Sequence, residues 1–74
     1  MQNMQRPTSF GMWLKQTGAF HGISLDELSE KSGVSRSHIW HIESQAKKPT
    51  LEIASKLTAA FNLKLWKILK LIDL

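Results

Sequence analysis

The chain has 74 residues and no cysteine, so we expect one small domain without disulfides or thiolate metal ligands, typical of the reducing cytoplasm. No apolar run is long enough to cross a bilayer, and the polar N-terminal stretch is unlike a secretory signal. Ten Lys and Arg against six Asp and Glu give a net charge of +4, which favours a polyanionic partner such as nucleic acid.

The first predicted elements are a flexible arm over residues 1–7, which carries Arg6, and a helix over residues 9–20. Thr8 is expected to cap this helix through its hydroxyl group. Apolar or small side chains recur at helical spacing and predict one inward-facing stripe. That stripe consists of Phe10, Trp13, Leu14 and Thr17.

Two short helices follow, separated by a tight turn. Ser24 and Glu27 form a capping box that begins the second helix, which runs to about Ser32. Gly33 then supplies a left-handed backbone position. Ser35 is expected to cap a third helix that ends near residue 44 or 45, with Ile39 and Ile42 facing inward.

Two more helices complete an all-α fold. Pro49 predicts a loop over residues 46–49, after which Thr50 caps the fourth helix. Asn62 is expected to break the pattern before a fifth helix over residues 64–71. The predicted inward stripe of the fourth helix is Leu51, Ala54, Leu57, Thr58 and Phe61. The apolar side of the fifth helix is expected to carry Leu65, Trp66, Ile68, Leu69 and Ile72.

The segment from Leu25 to Glu43 is the most informative, because a Gly-Val-Ser turn between two short helices favours helix-turn-helix geometry. The strings ISLDELSEKSGVSRSHIWHIE and KKPTLEIASKLTAAFNL resemble the Cro and xenobiotic-response-element (XRE) helix-turn-helix family. The resemblance covers roughly residues 10–69. It implies a five-helix, lambda-repressor-like DNA-binding domain over residues 8–74.

Three positions depart from the family pattern. Leu25 stands where many members carry a Gln that contacts the DNA backbone or supports a base contact. Ser29 stands where Ala is common, at a close helix crossing, and Gln45 where Gly is common, at the exit from the third helix. The first change removes a polar contact, and the last predicts a different exit.

The resemblance places DNA contacts on and around the third helix. The implied base contacts are Ser35, Arg36, Ser37, Trp40 and His41. Arg36 is the leading candidate, because a guanidinium can bond guanine N7 and O6 together, whereas Trp40 suits a thymine methyl group or a sugar. The expected phosphate contacts are Ser24, His38, Lys47, Lys48 and Thr50, with Arg6 on the arm as a further candidate.

These residues also have interpretations that do not involve DNA. Arg36 and the two lysines could be ordinary solvated charges, and Trp40 could be buried against the fourth helix. His38 and His41 lie three residues apart and could share a metal ion, but two ligands are too few for a tetrahedral zinc site. No catalytic set or phosphate-binding glycine loop is evident, so we expect neither an enzyme, a metal nor a cofactor.

The apolar C-terminal segment LKLWKILKLIDL either completes the core of the monomer or forms a two-fold dimer contact, which we favour. The expected interface residues are Trp66, Leu69, Ile72 and Leu74. The sequence thus predicts a cytoplasmic regulator, a repressor that binds an inverted repeat in double-stranded DNA as a homodimer. The alternative is a protein-interaction module whose C-terminal helix binds another protein, such as a toxin or a polymerase subunit.

Overall fold

The described residues of the computed structural model are 7–70 and 72. Arg6 with the rest of the predicted arm up to residue 6, and Leu74 of the predicted dimer contact, lie outside them. Within the described part the chain forms five helices, in agreement with the predicted all-α class. They are α1 (Phe10–His21), α2 (Leu25–Ser32), α3 (Arg36–Glu43), α4 (Leu51–Ala59) and α5 (Leu65–Leu69). No helix among the described residues is long and apolar enough to span a membrane.

A hydroxyl-bearing residue begins each of the first four helices. The side chains of Ser24, Ser35 and Thr50 each accept a hydrogen bond from the amide three residues ahead, at 3.1–3.2 Å. These caps confirm the predicted starts of α2, α3 and α4. The predicted cap of α1 was wrong, because Ser9, and not Thr8, takes the extended conformation and accepts from the amide of Met12 at 3.2 Å.

The core lies where α3 packs against α1 and α2, and where α4 packs against α2 and α5. Its largest fully buried side chains are Phe10, Leu14, Leu28, Ile39, Ile42, Leu57 and Thr58. Trp13, on the predicted stripe of α1, is also buried, and its ring meets that of Phe61 edge to face with centroids 5.8 Å apart. Edge-to-face packing of this kind is favourable for aromatic rings.

Two predictions for the later helices were wrong. Leu51 was placed on the inward stripe of α4, but it is 64% exposed, because the first residue of the helix lies beside the loop and not over the core. The fifth helix is shorter than predicted, spanning Leu65–Leu69, and no side chain caps its start at Lys64. On α5 Ile68 is buried, whereas Trp66 and Leu69 are exposed, so only part of the predicted apolar stripe meets the core.

Gly11 permits the close approach of α1 to α3. A Cβ atom at this position would collide with the main-chain carbonyl oxygen of Ile42. Because that oxygen belongs to a backbone and not to a flexible side chain, α3 would have to move to make room. The absence of a side chain at residue 11 therefore fixes how closely the inner side of α3 sits on the core.

We predict that Gly11→Ala destabilises the protein. Alanine should gain roughly 1 kcal/mol from helix propensity, but overpacking against backbone costs about 1–3 kcal/mol, so the free energy of unfolding should fall. Gly18→Ala is the matched control, because a Cβ there would lie an ordinary 3.6 Å from the Ile23 carbonyl oxygen. Urea unfolding should show a loss for Gly11→Ala and a gain or no change for Gly18→Ala. A gain for both would mean that α1 and α3 do not depend on this contact.

Candidate nucleic-acid interface

The turn between α2 and α3 is held by backbone and side-chain hydrogen bonds. Gly33 adopts the left-handed conformation, with φ 77°, and its amide donates to the Ser29 carbonyl at 2.9 Å. The Ser29 hydroxyl donates to the Val34 carbonyl at 2.7 Å, and Val34 itself is buried. Ser29, where family members often carry Ala, therefore ties α2 to the turn and helps to set the angle of α3.

The burial of side chains three residues apart gives α3 an inner and an outer side. Ile39 and Ile42 are fully buried, in agreement with the sequence prediction, and fix the inner side on the core. Arg36, Ser37 and Trp40 are exposed. We call the surface formed by these three residues and Ser35 the outer face of α3.

Trp40 is 54% exposed, so it does not lie in the core. Its ring meets that of His41 edge to face, with centroids 5.3 Å apart. His38 and His41 are half-buried, at the margins of the outer face. Among the described residues, no group of three or more His, Cys, Asp or Glu side chains is close enough to hold a metal ion.

Arg36 has an ion-pair partner that the sequence did not indicate. Its Nη1 atom lies 3.0 Å from Oδ1 of Asp26, in the first turn of α2. Both side chains are largely exposed, so the pair should contribute no more than about 1 kcal/mol and can open when another partner is offered. The carboxylate therefore orients the guanidinium without immobilising it.

Leu25 and Trp40 flank an open depression beside Arg36. The residues lining it are Leu25, Arg36, Ser37 and Trp40. Leu25 is half-buried and Trp40 half-exposed. Because both side chains are apolar, so are the two sides of the depression. We call it the Leu25–Trp40 notch. The sequence predicts no DNA contact for Leu25, because leucine lacks the polar group of the Gln that many family members carry at this position.

The segment after α3 leads directly into α4. Gln45 adopts φ 64°, a left-handed conformation that glycine takes more easily and that costs another residue roughly 1–2 kcal/mol. The chain thus still turns sharply at residue 45, although glycine is absent. Lys47 and Lys48 follow and are exposed.

Ser24 and Thr50, two of the predicted phosphate contacts, are exposed helix caps. Each hydroxyl oxygen accepts a bond from its own helix, which leaves the hydroxyl hydrogen free to donate outward. The first amides of α2 and α4, as at the start of any helix, point outward along the helix axis and favour an anion. These positions therefore suit a phosphate group.

Glu43, at the end of α3, has a structural environment. Burial raises the pKa of its carboxyl group, and the charge of Lys15 on α1 acts in the opposite direction. The described residues that line the depression beside Glu43 include no second carboxylate.

Comparison with known proteins gives the family. A helix-turn-helix family model matches residues 21–72. Among solved structures, the chain is similar to the master regulator for biofilm formation SinR, which was crystallised in complex with DNA. The two share 31% sequence identity with a TM-score of 0.73, over 81% of this chain and 97% of that one. No curated protein sequence matched significantly.

The chain belongs to the helix-turn-helix family, because the family model matches well over half of its length. The resemblance to Cro and XRE regulators and the predicted fold are thereby confirmed. This membership identifies a DNA-binding transcriptional regulator and not an enzyme.

Proposed function

We propose that the chain binds duplex DNA in a sequence-specific manner by inserting the outer face of α3 into the major groove. The observation that carries this proposal is the arrangement of α3, which is buried on one side and exposes Arg36, Ser37 and Trp40 on the other. An α-helix fits the major groove, where each base pair presents a distinct set of donors and acceptors. SinR, to which the chain is similar, was crystallised with DNA.

In this proposal the base contacts are made by Ser35, Arg36, Ser37, Trp40 and His41. Arg36 leaves Asp26 and bonds guanine N7 and O6, an interaction worth about 1–3 kcal/mol of discrimination against other bases. The exposed pair with Asp26 is weaker than this, so exchanging it for guanine is favourable.

Phosphate contacts position the helix without specifying sequence. We assign them to Lys47 and Lys48 beyond α3, to the caps Ser24 and Thr50, and to His38 at the margin of the outer face. The two lysines supply the charge, and the caps supply donors at helix starts. The start of α2 and the segment between α3 and α4 thereby contact the DNA backbone on either side of the groove.

We further propose that two copies associate through α5. Trp66 and Leu69 are 54% and 40% exposed on this short helix. Large apolar side chains exposed together favour contact with a partner. Ile72, also predicted at the interface, is 6% exposed and packs in the core, so it supports α5 from beneath. Lys67 and Lys70 lie over the Trp66 ring, 5.8 and 5.0 Å from its centroid, and would occupy the rim of a two-fold contact.

A dimer of this kind would present two copies of α3 to successive major grooves, about 34–36 Å apart, on an inverted repeat. Bound over a promoter in the cytoplasm, it would repress transcription by occupying the DNA. The alternative, a protein-interaction module, uses the same exposed α5 surface to bind another protein. The two differ in what α3 contacts.

We predict that Arg36→Ala lowers affinity for a selected duplex by about tenfold or more, while affinity for random duplex falls much less. Asp26→Asn is the matched control, because it breaks the ion pair but keeps the guanidinium. It should retain the preference for the selected duplex and tighten binding to random DNA by removing a negative charge. Fluorescence anisotropy measures both affinities. Equal losses on the two duplexes for Arg36→Ala would remove Arg36 from base contact.

The salt dependence of the same binding separates DNA recognition from the alternative. The logarithm of the association constant should fall with the logarithm of salt concentration at a slope near −0.9 per phosphate contact. A mainly apolar contact between proteins would show little salt dependence. Failure to bind any duplex at low ionic strength would favour the interaction module.

We predict that Leu69→Asp yields a monomer in solution, because a carboxylate on the exposed side of α5 would be desolvated in an apolar contact. Light scattering measures the mass. Phe20→Asp is the matched control, since Phe20 is 84% exposed and belongs to α1, and this change should leave a dimer intact. An unchanged dimer mass for Leu69→Asp would place the interface elsewhere.

A further inference from the structure

We infer that the Leu25–Trp40 notch holds the C5-methyl group of a thymine next to the guanine bonded by Arg36. The inference rests on the proposed function and deepens it, because it names a second determinant of sequence preference. The target would contain a thymine–guanine step, recognised through one apolar and one charged contact from neighbouring side chains.

The geometry of the notch supports this occupant. Leu25 at the start of α2 and Trp40 on α3 supply its apolar sides, and Arg36 and Ser37 complete the lining. The notch therefore spans the two helices of the motif. A methyl group entering from the major groove would meet carbon on both sides, as apolar contact with the thymine methyl requires.

The charges around the notch favour DNA over an apolar peptide. The Arg36 guanidinium lies in its lining, and the Asp26 carboxylate is already within 3.0 Å of that guanidinium. A peptide side chain could fill the apolar space, but it would leave the Arg36 donors with Asp26 or water. A guanine beside a thymine satisfies the cation with two acceptors and fills the space with a methyl group.

Leu25 has a particular part in this arrangement. A polar side chain at the start of α2 would offer a hydrogen bond to a base or phosphate, and the leucine offers none. Leucine instead makes that side of the notch apolar. The change from polar to apolar at residue 25 thus exchanges a polar contact for selectivity toward a methylated pyrimidine.

The test begins with a duplex selected by the protein from a random-sequence library. Each thymine of that duplex is replaced in turn by deoxyuridine, which pairs identically but lacks the methyl group. At the position beside the guanine that depends on Arg36, we expect affinity to fall about fourfold, which is the effect of one buried methyl-sized group at about 0.8 kcal/mol. The corresponding thymine in the other half of the inverted repeat should show the same fall, and thymines elsewhere should show no change.

Two protein variants assign the effect to the notch. Trp40→Ala and Leu25→Gln should bind the thymine and deoxyuridine duplexes equally, whatever their absolute affinity. Phe20→Ala removes a more exposed aromatic ring on α1 and should retain the fourfold difference. Undiminished discrimination in both notch variants would overturn the assignment.

A further duplex distinguishes thymine from methylated cytosine as the occupant. Replacing the T·A pair by C·G should weaken binding, and adding a C5-methyl group to that cytosine should recover about fourfold without exceeding the thymine duplex. Tighter binding of the methylated cytosine than of thymine would overturn thymine as the occupant. A selected sequence with no thymine beside the guanine would also contradict the inference.

These outcomes are separate from failure of the proposed function. If no duplex is enriched and none binds at low salt, DNA recognition itself is wrong. If a selected duplex binds specifically and loses affinity with Arg36→Ala, but deoxyuridine has no effect at any position, only the role of the notch is wrong.

Discussion

The seating of α3 against the rest of the chain is the constraint on which the other features depend. Ile39 and Ile42 bury its inner side, and the missing side chain at Gly11 lets α1 approach the Ile42 carbonyl. On the other flank, the Ser29 hydroxyl binds the turn that leads into the helix. Because α3 is only eight residues long, it would not be stable alone, and these contacts both hold it and leave its outer face free.

The outer face combines a charged and an apolar element at one place. Arg36 is oriented by Asp26 through an exposed pair that is weak enough to open, and the Leu25–Trp40 notch lies beside it. In the proposed mode of binding, the negative charge of Asp26 beside the outer face repels phosphate in general. It therefore favours duplexes in which Arg36 gains more from a base than from Asp26, so that affinity for random DNA is reduced and specificity is increased.

Much of the fold could be predicted from the sequence because its signals are local. Hydroxyl caps at residues 24, 35 and 50, and the glycine at residue 33, act within a few residues of their own position. Ser9 and Thr8 are adjacent and both can cap, so only the backbone conformation distinguishes them. The exposure of Leu51 and the role of Gly11 depend on where other helices lie, and periodicity along one helix does not contain that information.

The candidate site shows the same division. Arg36 and Trp40 could be placed on an exposed face, because the inward positions of Ile39 and Ile42 set the phase of α3. The Asp26–Arg36 pair and the notch join residues of two helices across a turn, and no spacing in the sequence indicates them. Ile72 was assigned to an interface because it is apolar, yet it is 6% exposed and belongs to the core.

The most direct test of the account is a nuclear magnetic resonance titration of the labelled protein with a selected duplex. We expect the largest amide shifts at residues 35–41, with a second set at residues 47–50, while amides within α5 that face away from DNA change little. Shifts concentrated on α5, with residues 35–41 unaffected by a saturating amount of DNA, would contradict the claim that the outer face of α3 meets the bases.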